Sequence, residues 1–371
     1  MQLKFSNSID GEEQLDFSDI LIEPRTSSIN SRKDVNIERD YSFKYYPKTI
    51  NGTGVIAANM FHTGTFEMAR ILQAHKMFTC LHKHYTFEEC KKFLEENQQS
   101  KYGNTYIFIS MGIRAEDYKK ACALLDTGLV DKVCIDVPNG YIPAFRAMVK
   151  NVRRRYSNVL IMAGNVVSSY ITRDLLNEGA DVVKVGIGSG SACETRKMTG
   201  VGRPQASAVA NCVLAAKQSH GSICSDGGIV YPGDICKAFG LGADFVMIGG
   251  MLAGTNESAG KIITRRFQSN ELDENNEPLI EERKFKQFYG MSSEEAQKQH
   301  YDGMPQYRTS EGRVLEVPYK GSAENIVKQI EGGLRSCLTY TDCKTLDELP
   351  QKADFYKVRR QLNTSLTHGK E

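Results

Sequence analysis

The 371-residue chain has no C-x-x-C pair, no long apolar run and almost no net charge, and each absence excludes a class of protein. Its ten cysteines are scattered singly: Cys80, Cys90, Cys122, Cys134, Cys193, Cys212, Cys224, Cys236, Cys337 and Cys343. That spacing suits neither a disulfide framework nor a zinc site. Several lie inside apolar runs, where a free thiol behaves as a small hydrophobe. Nothing approaches the roughly 18 apolar residues that a membrane-spanning helix needs. A formal charge of +2 provides no broad field to draw nucleic acid or a membrane surface. The opening MQLKFSNSIDGEEQLDF is too polar and acidic for a secretory leader, and the closing THGKE carries no obvious address. The expectation is a reduced, cytoplasmic protein with no nucleic-acid or membrane partner.

What is present is a rhythm. Eight short apolar runs occur between residues 55 and 250: VIAANM, FTCLHKH, YIFISMG, KVCIDV, VLIMAGNV, VVKVGI, SICSDGG and FVMIGG. Continuous apolar strands fit a parallel sheet buried on both faces. Between them stand segments such as TFEMARILQAHK and AEDYKKACALLDTG, with apolar residues at three- and four-residue spacing. Eight strand–helix repeats predict an α/β fold, a (β/α)8 barrel. A doubly wound sheet is the alternative on pattern alone. Residues 1–50 read as a polar lead-in. Residues 252–320 read as a polar insertion after strand eight, a flap on the catalytic face. The tail, 321–371, opens with a helix covering the barrel. The whole reads as one catalytic barrel domain.

The segment VKVGIGSGSACETRKMTGVGRPQ (183–205) runs from a strand into a glycine-rich loop holding Cys193. Barrel enzymes keep catalytic groups at such strand ends. Thr195, Arg196 and Lys197 follow, and nearby cations favour a thiolate nucleophile. A buried structural cysteine in a tight turn is the alternative. Asp226-Gly227-Gly228 and Gly249-Gly250 end strands seven and eight, where barrels commonly bind phosphate through backbone N–H groups. A carboxylate at Asp226 suits ribose hydroxyls. Together these point to a nucleoside monophosphate or a sugar phosphate. Asp136 and Asn165 end strands four and five. In the HKH segment after strand two, Lys83 is read as an anion contact, and His82 and His84 as packing.

The segments KVGIGSGSACETRKMTGVG, SDGG, AGNVV, GADFVMIGGMLAG and FYGMSS closely resemble the reductase branch of the IMP dehydrogenase/GMP reductase family. The similarity runs from LDFSDILIEP (15–24) to GGLRSCLTY (332–340). Dehydrogenases usually carry a tandem regulatory module between strands two and three, for which this chain has no room. The resemblance implies NADPH-dependent deamination of GMP to IMP, with Cys193 as covalent nucleophile and Thr195 and Glu311 moving protons. It assigns GMP to Asp226, Gly227, Gly228, Gly249, Gly250, Gly290, Met291, Ser292, Arg308 and Gly312. It assigns NADPH to Lys83, Asp136, Ile187 and Gly188, with Ser31, Arg32, Ser336 and Thr339 reached from a neighbouring subunit. It further implies a K+ ion held by backbone carbonyls of Gly188, Gly190, Cys193 and Arg196, and a homotetramer.

Five positions depart from the family pattern. Phe61-His62-Thr63 replaces an acidic residue and two smaller ones on the catalytic rim. Glu194 stands beside the nucleophile, where like charge opposes a thiolate. Ser189 replaces a common proline. The alternatives are an IMP dehydrogenase, a GMP-binding regulatory protein with reduced turnover, and an unrelated phosphosugar barrel enzyme.

Overall fold

The computed structural model describes residues 13–358, apart from 273, 275 and 301–308. Eight parallel strands form a closed barrel. They are β1 (Val55–Ala57), β2 (Phe78–Cys80), β3 (Ile107–Met111), β4 (Lys132–Asp136), β5 (Leu160–Val166), β6 (Val182–Val185), β7 (Ser222–Asp226) and β8 (Phe245–Ile248). Every expected strand is present, and each glycine pair falls just past its strand. Closure between β8 and β1, with Val246 opposite Val55, excludes the doubly wound alternative. Strand side chains alternate between two apolar environments. Ile56, Phe78, Phe108, Cys134, Met162, Cys224, Phe245 and Met247 fill the interior. Val55, Ile107, Val133, Ile161, Val183, Ile223 and Val246 join the core beneath the helices. Both faces are dry, which is why the strands read as unbroken apolar runs.

The helices between strands are α1 (Phe66–Ala74), α2 (Phe87–Asn97), α3 (Ala115–Asp126), α4 (Pro143–Arg155) and α5 (Ser169–Glu178). After β6 come a one-turn helix, α6 (Thr195–Thr199), and then α7 (Gln205–Gln218); α8 (Pro232–Gly240) follows β7. Their starts carry ordinary signals. Thr86 and Glu89 form a capping box on α2, and prolines open α4 and α8.

Three features refine the sequence reading. First, the lead-in is only partly a polar approach. A hairpin of Arg39–Tyr41 with Ile50–Gly52 closes the barrel floor. Tyr41 stacks on Phe245 at 4.5 Å, and Tyr46 joins the same interior cluster. Second, the helix in the tail, α10 (Ala323–Tyr340), packs between α8 and α1 as the eighth barrel helix. Third, the segment before it is a folded flap. Strands β9 (Ile262–Leu272), β10 (Pro278–Tyr289) and β11 (Val314–Pro318) make an antiparallel sheet, with α9 (Glu294–His300) between β10 and β11. Phe288, Leu315 and Val317 press the flap onto Ala192 and Ala253. The buried Lys286 ammonium donates to the carbonyls of Thr255 (2.8 Å) and Ser258 (2.7 Å). Outside the barrel, Ile20–Ile22 pairs antiparallel with Phe355–Lys357.

Candidate functional site

A cavity of about 270 Å³ opens at the C-terminal ends of the strands, beneath the flap. Its polar floor is built by strand parity. Val182 faces the barrel interior, so Lys184, two residues on, does too. The Lys184 ammonium lies 2.6 Å from Asp136 and 2.8 Å from Asp226. Burial works against the ammonium, but the two carboxylates outweigh it and raise its pKa well above the ordinary lysine value. Burial likewise works against the Asp136 carboxylate, and Lys184 overcomes it, holding the group below its usual range. Asn165 donates to Gly186 O (2.7 Å) and to Asp226 (2.8 Å). Its Oδ1 is buried and has no hydrogen-bond partner among the described residues.

Cys193 sits at the wall of this cavity. Its thiol donates to the Thr195 hydroxyl at 3.2 Å, and that hydroxyl donates to the Glu311 carboxylate at 2.8 Å. The flap supplies Glu311 by docking on the cysteine loop. Cys193 and Gly312 form an antiparallel bridge. The Glu194 N–H donates to Glu311 O (2.7 Å), and the Arg313 N–H to Ala192 O (3.1 Å). Glycine is required at the junction: a Cβ on Gly290 would lie 2.6 Å from Ala192 O. Gly227, at φ +94°, meets the same loop, and a Cβ there would lie 2.4 Å from Ser189 Oγ. Ser189 Oγ donates to Asp226 O (3.2 Å), so the serine replacing proline gains a tether.

The structure brings most sequence-predicted residues together. Cys193, Thr195, Glu311, Asp136, Asn165, Asp226, Gly227, Gly228, Gly249, Gly250, Gly290, Met291 and Ser292 line the cavity, with Ile187, Gly188 and Gly190. Gly312 bridges to Cys193 just behind the wall. Arg308 lies outside the described residues. Lys83 pairs with Asp117 at 3.0 Å, away from the cavity wall. Ser31 and Arg32 lie beside α10, which carries Ser336 and Thr339, and none of the four lines the cavity. His82 stacks on Tyr85 at 3.9 Å. Phe61-His62-Thr63 lies under the flap rather than on the cavity wall: His62 meets Tyr289 edge-on at 4.2 Å, and Thr63 Oγ1 donates to Ala58 O at 2.9 Å.

One expectation needs correcting. The cations after Cys193 do not serve its thiol. Arg196 is bound to Asp16 (2.8 Å), and Lys197 lies 3.6 Å from Glu194. The thiol's partner is a hydroxyl instead. The same pairing engages the Glu194 charge. Sequence reasoning also passed over Lys184, whose signal was a lysine at an inward position of an apolar strand.

Among the described residues no helix is long and apolar enough to cross a membrane. The model of the IMP dehydrogenase / GMP reductase domain matches residues 14–368. The chain is 44% identical over 357 residues to GMP reductase 1 of Rattus norvegicus, covering 96% of this chain and 98% of that one. It is 44% identical over 356 residues to GMP reductase 2 of Homo sapiens (96% and 97% covered). Against a GMP reductase of Escherichia coli O139:H28 it is again 44% identical over 356 residues (96% and 98%). With its closed barrel, cysteine loop and docked flap, the chain belongs to the IMP dehydrogenase/GMP reductase family.

Proposed function

We propose that this chain is an NADPH-dependent GMP reductase that converts GMP to IMP and ammonia. The observation that carries the reading is the relay from Cys193 Sγ through Thr195 Oγ1 to Glu311 Oε2, in a chain 44% identical to relatives named GMP reductase. Each donor in the relay faces an acceptor. As the thiol proton passes to Thr195, the threonine proton passes to the Glu311 carboxylate. The sulfur is left as the thiolate, the nucleophilic form. Sulfur then bonds to C2 of the purine. Glu311, now a carboxylic acid, returns its proton through Thr195 to the 2-amino group, and the C2–N bond breaks. An amine leaves poorly until it is protonated, so one relay serves both half-steps. NADPH, when bound, supplies the hydride that takes the place of the lost nitrogen at C2. Cys193 departs as the thiolate.

Asp226 is suited to the ribose hydroxyls, and the backbone at Gly227, Gly228, Gly249 and Gly250 to the phosphate. Gly290, Met291, Ser292 and Gly312 would close over the base, a role that the family resemblance also gives to Arg308. The orphaned Asn165 Oδ1 calls for a donor from a ligand, and an amide such as the nicotinamide carboxamide supplies one. Asp136, Ile187 and Gly188, which line the same cavity, would hold the rest of that half of NADPH. Lys83 would serve it as well, and Ser31, Arg32, Ser336 and Thr339 would do so at a subunit boundary of a homotetramer. Carbonyls of Gly188, Gly190, Cys193 and Arg196 suit K+. Those of Gly190 and Arg196 accept one N–H each, from Cys193 and Gly200, and keep a second lone pair. Neutral oxygen donors favour a monovalent ion. We place the enzyme in the cytoplasm, as one catalytic barrel without an inserted regulatory module.

The test is absorbance at 340 nm with GMP and NADPH, with ammonia assayed in parallel. Loss of NADPH matched one-to-one by ammonia is expected. Cys193→Ala should bind GMP and release none. Reduction of NAD+ with IMP, and no reaction of GMP, would move the chain to the dehydrogenase branch.

A further inference from the structure

Residues 14–19 run along the outside of the two loops that flank the cavity. Helix α6 begins at Thr195 and has only five residues. A helix of one turn is not self-sustaining, and the residue before it, Glu194, lends it no side-chain cap. It is held from outside at two points. Thr195 is held by Glu311 (2.8 Å). Arg196 is held by Asp16, with Nη1 to Oδ2 at 2.8 Å and Nη2 to Oδ1 at 3.3 Å. Arg196 Nη2 also donates to Arg203 O at 2.6 Å. Its stem fills a hollow left by two glycines: a Cβ on Gly188 or Gly202 would lie 2.4 or 2.8 Å from Arg196 Cγ. Asp16 Oδ1 further accepts the N–H of Gln205 at 2.6 Å, the first residue of α7. One carboxylate therefore ties α6 to the start of α7.

Asp16 is itself held. Its N–H donates to Asp19 (2.8 Å), and Leu15 and Ser207 exchange two hydrogen bonds, of 2.8 and 3.1 Å. Gln14 accepts from Arg203 (2.8 Å). Phe17 is buried, and its ring lies 3.3 Å from where a Gly228 Cβ would be. The segment thus touches the nucleophile loop on one side and the paired glycines of the other loop on the other.

We propose that Asp16 is a positioning residue: clamped on Arg196, it sets the orientation of α6 and so aims the Thr195 hydroxyl at the Cys193 sulfur. The inference rests on the catalytic reading of Cys193 and Thr195. A forked carboxylate–guanidinium pair fixes direction as well as distance.

Asp16→Asn tests this, since it keeps an acceptor and removes the charge. Three quantities are read: kcat and KM for GMP, the thermal midpoint, and the rate of iodoacetamide labelling of Cys193 by mass spectrometry. Cys337 is the internal reference, because these two are the cysteines that are not fully buried. Misaimed reacting groups lower kcat by about tenfold or more, while KM for GMP stays within about threefold. Labelling of Cys193 rises about threefold as its loop slackens, with Cys337 unchanged and the midpoint within a few degrees. Arg196→Lys loses the fork and gives the same pattern, and the double variant is no worse than the poorer single one. Unchanged kcat and Cys193 labelling would overturn the proposal. So would a fall in kcat matched by a lower midpoint and faster Cys337 labelling. Should the unaltered enzyme fail to consume NADPH with GMP, the functional reading falls. The ratio of Cys193 to Cys337 labelling still decides the clamp.

Discussion

Thr195 has one hydroxyl and two duties, accepting from Cys193 and donating to Glu311. Glu311→Gln keeps the acceptor and removes the ability to take a proton. Its kcat is expected to fall about a hundredfold or more, with KM for GMP little changed. Steady-state kinetics checks this, and an unaltered kcat would remove Glu311 from the proton path. Cys193 stood out in the sequence because it sits in a glycine-rich loop at a strand end, and only the family resemblance singled out Thr195. Lys184 was not. Its role depends on facing inward between two carboxylates from other strands, a matter of register. Stripping one partner from such a buried charge typically costs about 3–5 kcal/mol. Asp16 was hidden for a different reason, since its partner Arg196 lies 180 residues away along the chain.

Among the elements, the flap carries the most chemistry per contact. It delivers Glu311 through a bridge at Gly312 and a close backbone approach at Gly290. Gly290→Ala would place a methyl 2.6 Å from Ala192 O and 3.1 Å from Gly312 Cα. The expected result is a flap that no longer docks: turnover lost by about tenfold or more, faster protease cleavage within the flap, and a barrel melting transition that barely moves. A barrel transition that collapses with the activity would show that the flap is part of the core. The flap's place after strand eight was legible from its polarity. Its strands were not, because Thr264, Arg265 and Arg266 and their partners Glu282, Arg283 and Lys284 are exposed, and no alternation marks them. The eighth barrel helix was seen as a helix. Its role was obscured by the insertion that separates it from β8.

Across the whole molecule, stability at low pH should be set in part at the barrel floor. Asp131 meets Lys48 (2.7 Å), Lys132 (2.5 Å) and the Tyr46 hydroxyl (2.8 Å). Burial opposes its charge, but Lys132, Lys48 and Tyr46 prevail and bring its pKa down to about 2. A depressed carboxylate pKa stabilises the folded state at pH values above the unfolded value, and that stability is lost as pH falls through the folded one. The window runs from about 4 down to about 2 and is worth roughly 2 kcal/mol. Asp131→Asn should flatten the acid limb of an unfolding-versus-pH curve in that window, and an unchanged limb would discount the cluster. The eightfold rhythm made the barrel legible, because strand and helix periodicities are local. The floor hairpin was not, because Tyr41 and Tyr46 declare themselves only against Phe245 and its neighbours.

The pairing of Ile20–Ile22 with Phe355–Lys357 also orders events in time. Protein synthesis runs from one partner to the other, so an early strand waits for a late one. A nascent chain long enough to have made every barrel strand and α10 still lacks the strand against which the segment just beyond Asp16 lies. The strand just beyond the Asp16 clamp therefore finds its partner only after the whole barrel and α10 have been made.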